Sequence, residues 1–427
     1  MHQRQKWSSL WKTEDWWAIW LAGIMMVVAV AGLVNSIPRL PKWTGSLQSV
    51  FSVELIPALL ILGLGLGLAT ATALRAMGRD EKKYLLGFPF VFLLAVAAFV
   101  IGSNKTMSHY GLNDVIWALV LGMVISNVFG KPKWLVPALR TELFIKTGLV
   151  LLGAEILFNR VLTLGARGLG VAWIVTPIVI LFMYNYGTKV LKIKSKSMVA
   201  TVATCTSVCG VSAAIATGAA TKAKKEEISA AISVSLIFTV IMMVGMPILI
   251  RFLGLSEAVG GAWIGGTVDS TGAVVVAGSM VGPHAMEVAA IIKMLQNVLI
   301  GLVAFAWAVF WVTRVEREPG TSKPSIGEIW VRFPKFILGF VGASVVFSFI
   351  LLPVLGQTRV DEILKVTAAL RSWLFALAFV SIGLDSRLSE LKEAFKGQGP
   401  VKLYVVGQTF NLVLTLIAAI VFFGRIG

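Results

Sequence analysis

Long apolar segments separated by short polar gaps run through the whole of this 427-residue chain. Each segment is close to the ~20 residues that an α-helix needs to cross a bilayer core. The segments lack the residue-by-residue alternation that marks the strands of a membrane β-barrel. We therefore predict an all-α polytopic membrane protein with about thirteen spans, at residues 16–34, 54–74, 84–102, 112–129, 135–158, 168–188, 198–220, 228–250, 258–281, 285–312, 333–353, 366–384 and 400–424.

Two of these spans are interrupted by polar stretches that contain glycine, at residues 204–212 (TCTSVCGVS) and 265–272 (GGTVDSTG). Unpaired backbone groups are so costly in hydrocarbon that such breaks occur only inside protein or beside a water-filled cavity. A pair of interrupted helices is typical of the substrate site of a secondary transporter. The two stretches are therefore the first candidates for a functional site.

Composition and charge agree with a membrane protein. The chain is 57% hydrophobic and 14% charged, with a mean hydropathy of +0.86, whereas a soluble domain carries about 25% charged residues. The net charge of +17 would also suit a nucleic-acid-binding protein. Lys and Arg cluster in the gaps between spans, however, as the positive-inside rule describes for membrane proteins. Their distribution predicts a cytoplasmic N-terminus in a bacterial plasma (inner) membrane.

One loop does not fit this topology. Lys222, Lys224 and Lys225 fall on the external side if every span crosses once. Either the number of spans is off by one nearby, or the interrupted span 198–220 does not cross as a plain helix. The second explanation suits its polar break.

The first break supplies hydroxyl groups and a glycine. A helix that begins near Gly210 would direct unpaired N–H groups at the gap, and these donors together with the helix dipole attract anions. Hydroxyls in a membrane helix can instead bond to their own i−4 carbonyls. Candidate substrate-binding residues here are Thr206, Ser207, Cys209, Gly210 and Ser212.

The second break, which we interpret as a discontinuous helix or a re-entrant hairpin rather than a loop between two short segments, adds ionisable groups. Asp269 lies at membrane depth, where an acid is by default a functional hypothesis, and we predict that it carries a coupling proton or Na⁺ together with Asn297. Lys293 lies inside a span and either presents a positive charge to an anion or pairs with Asp269 or Glu287. Further candidate substrate-binding residues are Gly266, Thr267, Ser270, Thr271 and Lys293.

No catalytic or cofactor-binding motif is recognisable. The chain has no P-loop, HExxH or GxSxG sequence, and residues 63–67 (GLGLG) lie in an apolar span, where glycines serve helix packing. Cys205 and Cys209 stand four residues apart, and we expect two thiols rather than a disulfide or a metal site. We expect no enzymatic activity, no cofactor and no nucleic-acid partner.

We predict one transporter domain over residues 1–427. Residues 1–110 would form scaffold spans, 111–312 a first repeat with the broken-helix core, 313–332 a cytoplasmic linker and 333–427 the C-terminal spans. The segments 147–157 and 375–384 are weakly alike, which suggests an internal repeat of the kind that secondary transporters contain.

Several ordered motifs resemble those of the sulfate exporter family, the YeiH-like or UPF0324-type membrane proteins. They span about residues 110–424 and comprise 149–153 (LVLLG), 206–214 (TSVCGVSAA), 222–224 (KAK), 265–272, 274–278 (VVVAG) and 287–293 (EVAAIIK). The chain departs from the commoner pattern where relatives carry His before an acid near Asp269, and Arg in place of Gln296. The missing His and Arg remove two potential anion partners.

The resemblance implies the cation/proton antiporter and bile-acid transporter superfamily. It implies inverted repeats, two broken and crossing helices, a core and a dimerising scaffold, and an elevator mechanism in a homodimer. We expect an exporter or exchanger of a small anion, such as sulfate or a related sulfur oxyanion or sulfonate, coupled to H⁺ or Na⁺. The alternatives are a cation/proton antiporter that uses Asp269 and Lys293, and a membrane scaffold that transports nothing.

Overall fold

The computed structural model describes residues 10–45, 50–52, 54–109, 114–156, 158–315, 333–386 and 398–424. Most of the predicted linker 313–332 therefore lies outside the described residues. Every regular element in these ranges is helical, apart from one isolated β-bridge between Trp43 and Asn104. The all-α prediction is confirmed to this extent.

The α-helices are numbered α1 to α17 in chain order. They are α1 Glu14–Val30, α2 Leu55–Ala76, α3 Glu81–Gly102, α4 Lys105–His109, α5 Asp114–Val128, α6 Thr141–Glu155, α7 Phe158–Leu169, α8 Val175–Asn185, α9 Lys196–Ser207, α10 Gly210–Ala220, α11 Lys225–Phe252, α12 Glu257–Thr267, α13 Thr271–Val281, α14 Pro283–Phe310, α15 Phe336–Val346, α16 Leu352–Asp385 and α17 Gln398–Phe423. Turns of π-helix at Gly170–Ile174, Tyr186–Val190, Trp311–Val315 and Phe347–Leu351 extend the neighbouring helices.

Seven helical segments of the described residues are long and apolar enough to cross a membrane. They are Leu55–Ala76, Glu81–Gly102, Val161–Val190, Lys225–Phe252, Pro283–Val315, Phe336–Asp385 and Gly399–Phe423. Fewer qualify than the thirteen predicted, because both interrupted segments are divided into short helices and because α1, α5 and α6 have at most 17 residues. The 50-residue segment Phe336–Asp385 would be about 75 Å long as one straight helix, more than a bilayer needs. Gly356, at φ +75°, interrupts it between the two spans predicted there.

The chain divides into two compact units, of which the first comprises Met1–Phe158 and Lys335–Arg387. Its helices pack closely through glycine, since a Cβ atom on Gly63 would lie 2.9 Å from the ring of Phe92. Residues 63–67 therefore serve helix packing in this unit. At the end of α6, Glu155 accepts two hydrogen bonds from Arg371 of α16, at 2.7 and 3.0 Å. The weakly similar segments 147–157 and 375–384 thus contact each other inside one unit.

The second unit comprises Asn159–Pro334 and Leu388–Gly427, and it contains both polar breaks. The chain leaves the helical conformation between α9 and α10 and again between α12 and α13. Long helices α11, α14 and α17 pack against these four short ones. The domain boundaries predicted at residues 110, 313 and 332 stay a prediction.

Each broken segment folds back on itself as a hairpin. Ser197, at the start of α9, donates a 2.8 Å hydrogen bond to Glu227, just after the end of α10. Glu257, at the start of α12, accepts from the backbone N–H of His284, just after the end of α13, at 2.9 Å. If the two helices of either segment continued in one direction, the ends of that segment would lie about 35 Å apart. The crossing of the broken helices that the family resemblance implied is therefore not formed by these segments, and the second break is the re-entrant hairpin considered for it. We call α9–α10 and α12–α13 the first and second hairpin.

The hairpin geometry also explains the misplaced lysines. Because the first hairpin returns to the side from which it started, Lys222, Lys224 and Lys225 lie on the same side of the unit as the loop that precedes α9. The interrupted span 198–220 does not cross as a plain helix, as the charge pattern suggested.

Candidate functional site

The tips of the two hairpins meet in the interior of the second unit. The N–H of Gly210, the first residue of α10, donates a 2.9 Å hydrogen bond to the backbone carbonyl of Asp269. Beside this contact the Sγ atom of Cys209 lies 3.9 Å from the Oγ1 atom of Thr271. The structure thus brings together the two breaks that the sequence singled out.

Two helices begin where the tips meet, and neither has a side-chain cap. Cys209 and Ser270 stand at the N-cap positions of α10 and α13, and neither side chain bonds to its helix. At these two helix starts the N–H of Gly210 is bonded to Asp269. Among the described residues, the N–H groups that follow have no hydrogen-bond acceptor; they belong to Val211, Ser212, Thr271, Gly272 and Ala273. Each helix N-terminus carries about half a positive charge, so this point is rich in donors.

The outer ends of the same hairpins are capped in the usual way. The hydroxyl of Ser195 accepts from the N–H of Met198 at the start of α9, at 3.2 Å. Ser256 accepts from the N–H of Val259 at the start of α12, at 3.4 Å. Serine therefore caps the helices at the periphery, whereas Ser270 leaves its helix uncapped at the tip.

The helices that end at the tips are capped by side chains from α14 and α17. Lys293, 1% exposed, donates to the carbonyl of Val208 at 2.5 Å and to the Oε1 atom of Gln296 at 2.7 Å. Gln296 donates to the carbonyl of Ser207 at 2.8 Å and to that of Gly266 at 3.2 Å. Gln408 donates to the carbonyl of Thr267 at 2.8 Å.

Lys293 consequently caps the C-terminal end of α9, where its charge also suits the helix dipole. The predicted ion pairs of Lys293 with Asp269 and with Glu287 are not formed, since its ammonium contacts a carbonyl and Gln296. Glu287 lies instead 3.2 Å from the ring nitrogen of His284.

Asp269 is 1% exposed and is held by two hydroxyl groups. Its Oδ2 atom accepts from Ser235, at 2.8 Å, and from the phenol of Tyr404. Its Oδ1 atom is buried and has no hydrogen-bond partner among the described residues. The carboxyl group therefore has one fixed oxygen and one oxygen able to gain or lose a proton.

The other predicted coupling residue, Asn297 of α14, contacts the second tip. Its amide nitrogen donates to the Oγ1 atom of Thr271 at 3.0 Å, while its Oδ1 atom is buried without a partner among the described residues. Ser212 and Ser270 are half-buried beside the two helix starts. The tip thus collects Cys209, Gly210, Ser212, Asp269, Ser270, Thr271 and Asn297.

Three predicted hydroxyls do not point into this space. Thr206 and Ser207 donate to the i−4 carbonyls of Val202 and Ala203, at 2.8 and 2.7 Å. Thr267 donates to its own i−4 carbonyl at 2.5 Å. Bonding to a carbonyl of their own helix, the alternative explanation for such hydroxyls, therefore applies to all three. Gly266 packs against Thr415 rather than facing the tip.

Ser235, Tyr404 and Gln408 complete the site and were missed. Four polar residues of α17 follow one another at a helical spacing of four, three and four residues. They are Tyr404, Gln408, Asn411 and Thr415, all at most 4% exposed. That stripe in an apolar span is a readable signal of a polar face turned inwards. Ser235 carries no comparable signal, because it is one serine in a long apolar helix.

No three His, Cys, Asp or Glu side chains of the described residues come together in a way that would hold a metal ion. Both cysteines are thiols, and Cys205 donates to the carbonyl of Gly210 at 3.2 Å.

Comparison with known proteins identifies the family. The profile of the family described as Conserved hypothetical protein 698 matches residues 86–398, most of the chain. The chain belongs to this family. Its relatives carry the name UPF0324 membrane protein, which confirms the UPF0324 part of the resemblance; no solved structure matches the chain significantly.

The UPF0324 relatives differ in length. One from Nitratidesulfovibrio vulgaris is 51% identical over 355 residues, which are 82% of this chain and 61% of the relative. One from Rhodopirellula baltica is 50% identical over 81% of this chain and 64% of the relative. One from Nitrosomonas europaea is 29% identical over 96% of this chain and 95% of the relative. The chain thus spans about three fifths of its first two relatives, and as a UPF0324 protein it is an integral membrane protein.

Proposed function

We propose that this UPF0324 protein is a secondary transporter of a small anion, such as sulfate or a related sulfur oxyanion or sulfonate. The observation that carries the proposal is the meeting of two uncapped helix N-termini at the hairpin tips. Such termini are ready-made anion sites, because their N–H groups and their dipoles act together. Short helices of 11 or 12 residues also reach about half-way across a ~30 Å bilayer core, where transporter sites lie.

The anion would be bound mainly by backbone N–H groups of α10 and α13. The hydroxyls of Ser212 and Ser270 are half-buried next to them and supply further donors. Two helix termini provide about one positive charge between them, which is half the charge of a sulfate ion. The ammonium group of Lys293 contacts the carbonyl of Val208, the residue before Cys209 at the first tip. It would balance much of the remaining negative charge of the anion.

Asp269 would carry the coupling proton. A carboxylate repels an anion at short range, and protonation at its unpartnered Oδ1 atom removes that repulsion without breaking the two bonds at Oδ2. Anion binding and proton binding would thereby favour each other. Na⁺ is the alternative coupling ion, and the oxygen of Asn297 would then join Asp269.

Further features belong to the proposal. The family resemblance implies inverted repeats, elevator-type movement and a homodimer. The charge pattern predicts a bacterial inner-membrane protein with a cytoplasmic N-terminus, and the lack of catalytic motifs predicts no enzymatic activity.

Calorimetric titration of the purified protein with sulfate tests the anion site. We expect saturable binding and an upward shift of the unfolding temperature, both weakened in Ser212→Ala. Chloride at equal ionic strength is the control for non-specific effects. If sulfate, sulfite, phosphate and an alkyl sulfonate all fail to bind, the proposal is wrong.

A cation/proton antiporter is the second candidate. It is favoured by three buried oxygen atoms without a hydrogen-bond partner among the described residues, on Asp269, Asn297 and Gln408, since hard oxygen ligands suit alkali cations. In proteoliposomes with an imposed pH gradient, only this function predicts proton efflux driven by Na⁺ or K⁺ in the absence of any transported anion.

A further inference from the structure

Seven exposed lysines surround the outer end of the first hairpin. The hydrogen bonds that join Ser197 and the N–H of Lys224 to Glu227, at 2.8 and 3.1 Å, bring two loops together. Only Glu226 and Glu227 oppose this positive charge among residues 189–227. The lysine face, as we call it, consists of Lys189, Lys192, Lys194, Lys196, Lys222, Lys224 and Lys225.

Two of these lysines occupy a backbone conformation that disfavours them. Lys192 has φ +49° and Lys222 has φ +50°, and they are the two non-glycine residues with positive φ in the described chain. The left-handed region is unfavourable for an L-residue, and glycine or asparagine usually occupies it. One of them lies in each loop, so both loops carry a charge where glycine would be easier to accommodate.

An exposed strip of α10 leads from this face to the hairpin tip. Ile215 is 54% exposed, Ala219 and Lys222 are exposed, and Ser212 and Cys209 are half-buried. The spacing of three, three and four residues places Cys209, Ser212, Ile215 and Ala219 on one side of the helix, and Lys222 follows just beyond its end. In α13 of the second hairpin, by contrast, no residue is exposed.

We infer that the lysine face is the vestibule through which anions reach the site, along the exposed strip of α10. Charges of one sign at the mouth of a path raise the local concentration of the opposite ion and increase its association rate by 10- to 1000-fold. The inference rests on the proposed anion site and adds its direction of access. An anionic lipid headgroup shares the same charge, and the experiment below separates the two.

Cys209 is a native probe at the inner end of the strip. We would compare its reaction with two methanethiosulfonates, one bearing a sulfonate and one a trimethylammonium group, in Cys205→Ser protein in detergent at low salt. The thiolate attacks the reagent's sulfenyl sulfur, forms a mixed disulfide and releases methanesulfinate. Relative to a small thiol in solution, we expect the anionic reagent to be favoured by about 10-fold or more, and the preference to vanish near 1 M salt.

Two sets of variants assign the preference to the lysines. Lys192→Gly with Lys222→Gly removes two charges and also relieves two left-handed positions, so the unfolding temperature should not fall. Lys194→Gln with Lys224→Gln removes two charges without that relief, and the matching Arg variants retain them. We expect both neutral pairs to lower the ratio of anionic to cationic rates several-fold and the Arg variants to leave it unchanged.

Membrane vesicles of both orientations test the direction of access. Lys224→Cys in protein lacking both native cysteines marks the lysine face, and Cys209 should react from the same side as this marker. Equal rates for the two reagents, or rates unaffected by the neutral pairs, would overturn the inference. So would a Cys209 that reacts only with a lipophilic uncharged maleimide, because lipid would then cover the strip. Sulfate binding measured separately shows whether the site itself exists.

Discussion

The first hairpin carries lysines at its outer end and has one exposed side, whereas the second has no exposed residue in α13 and carries an acid at its tip. At the outer end of the second, Glu257 accepts from the N–H groups of His284 and Ala285, which ties the hairpin to the start of α14. Both tips contribute the same element, an uncapped helix start. Under the proposed function, this difference means that equivalent backbone geometry serves two tasks, anion access at one tip and proton exchange at the other.

Filling the N-cap of the first tip is the strongest way to break this comparison. In Cys209→Asp a carboxylate would occupy the place proposed for the anion and bond to the N–H groups of α10. We expect sulfate affinity to fall by about 100-fold or more, whereas the unfolding temperature holds or rises because an N-cap stabilises a helix by about 1 kcal/mol. Calorimetry and thermal unfolding measure the two effects. Cys209→Asn, a neutral cap, should lose less affinity; an equal loss in both variants would contradict the charge argument.

Removing the titratable group from the second tip should separate binding from coupling. Asp269→Asn retains an oxygen that accepts from Ser235 and Tyr404, but it cannot exchange a proton. We expect sulfate flux driven by a pH gradient to fall about 10-fold (~1.4 kcal/mol), with sulfate affinity within a few-fold of wild type. Ser235→Ala, which keeps the acid, is the control and should retain gradient-driven flux. Undiminished coupling in Asp269→Asn would assign the proton to another group.

The helix end that Gln408 of α17 caps should matter for stability and little for affinity. Gln408→Met keeps the size of the side chain and leaves the carbonyl of Thr267 without its 2.8 Å donor. An orphaned buried acceptor costs about 1–3 kcal/mol, so denaturant or thermal unfolding should shift to lower values. Sulfate affinity should remain within about twofold. A large loss of affinity with unchanged stability would mean that Gln408 contacts the anion.

A conventional helix start in the first unit gives the smallest expected effect. Asp80 caps α3 by accepting from the N–H of Lys83 at 3.1 Å, and the side-chain hydrogen bond with Lys83 lowers the pKa of its exposed carboxyl below 3.8. A lowered folded-state pKa stabilises the fold above the unfolded-state value, and the contribution is lost as the pH falls through the folded-state pKa. Asp80→Asn should therefore lower the unfolding temperature slightly at pH 7 and not near pH 3. It should leave sulfate binding unchanged at either pH.

The sequence predicted the breaks and most of the tip, because polar residues and glycine inside apolar runs have few structural explanations. For the second break it left a re-entrant hairpin open beside a discontinuous helix, since Asp269 is compatible with either. For the first break only the anomalous position of Lys222–Lys225 in the charge pattern indicated that the chain does not cross as a plain helix. The i−4 bonds of Thr206, Ser207 and Thr267 were an open alternative, because a hydroxyl in a helix can face either way.

Partners from distant parts of the chain were beyond sequence reasoning. Tyr404 and Asp269 are 135 residues apart, and the bond between them depends on how α17 packs on the second hairpin. The same applies to Lys293, whose charge was recognised but whose contact with Val208 required the fold. Local pattern thus found the groups, and packing determined their partners.

Helix α14 contacts both hairpins, with Ala289 against Gly265, Lys293 at Val208 and Trp307 bonded to Thr204 at 2.9 Å. A single continuous helix therefore sets the spacing and phase of both tips. Inserting one residue between Lys293 and Trp307 would rotate everything beyond it by about 100° and shift it by 1.5 Å. The middle of α14 should accordingly tolerate substitutions far better than changes in length, because a substitution leaves the rise and phase of the helix unchanged.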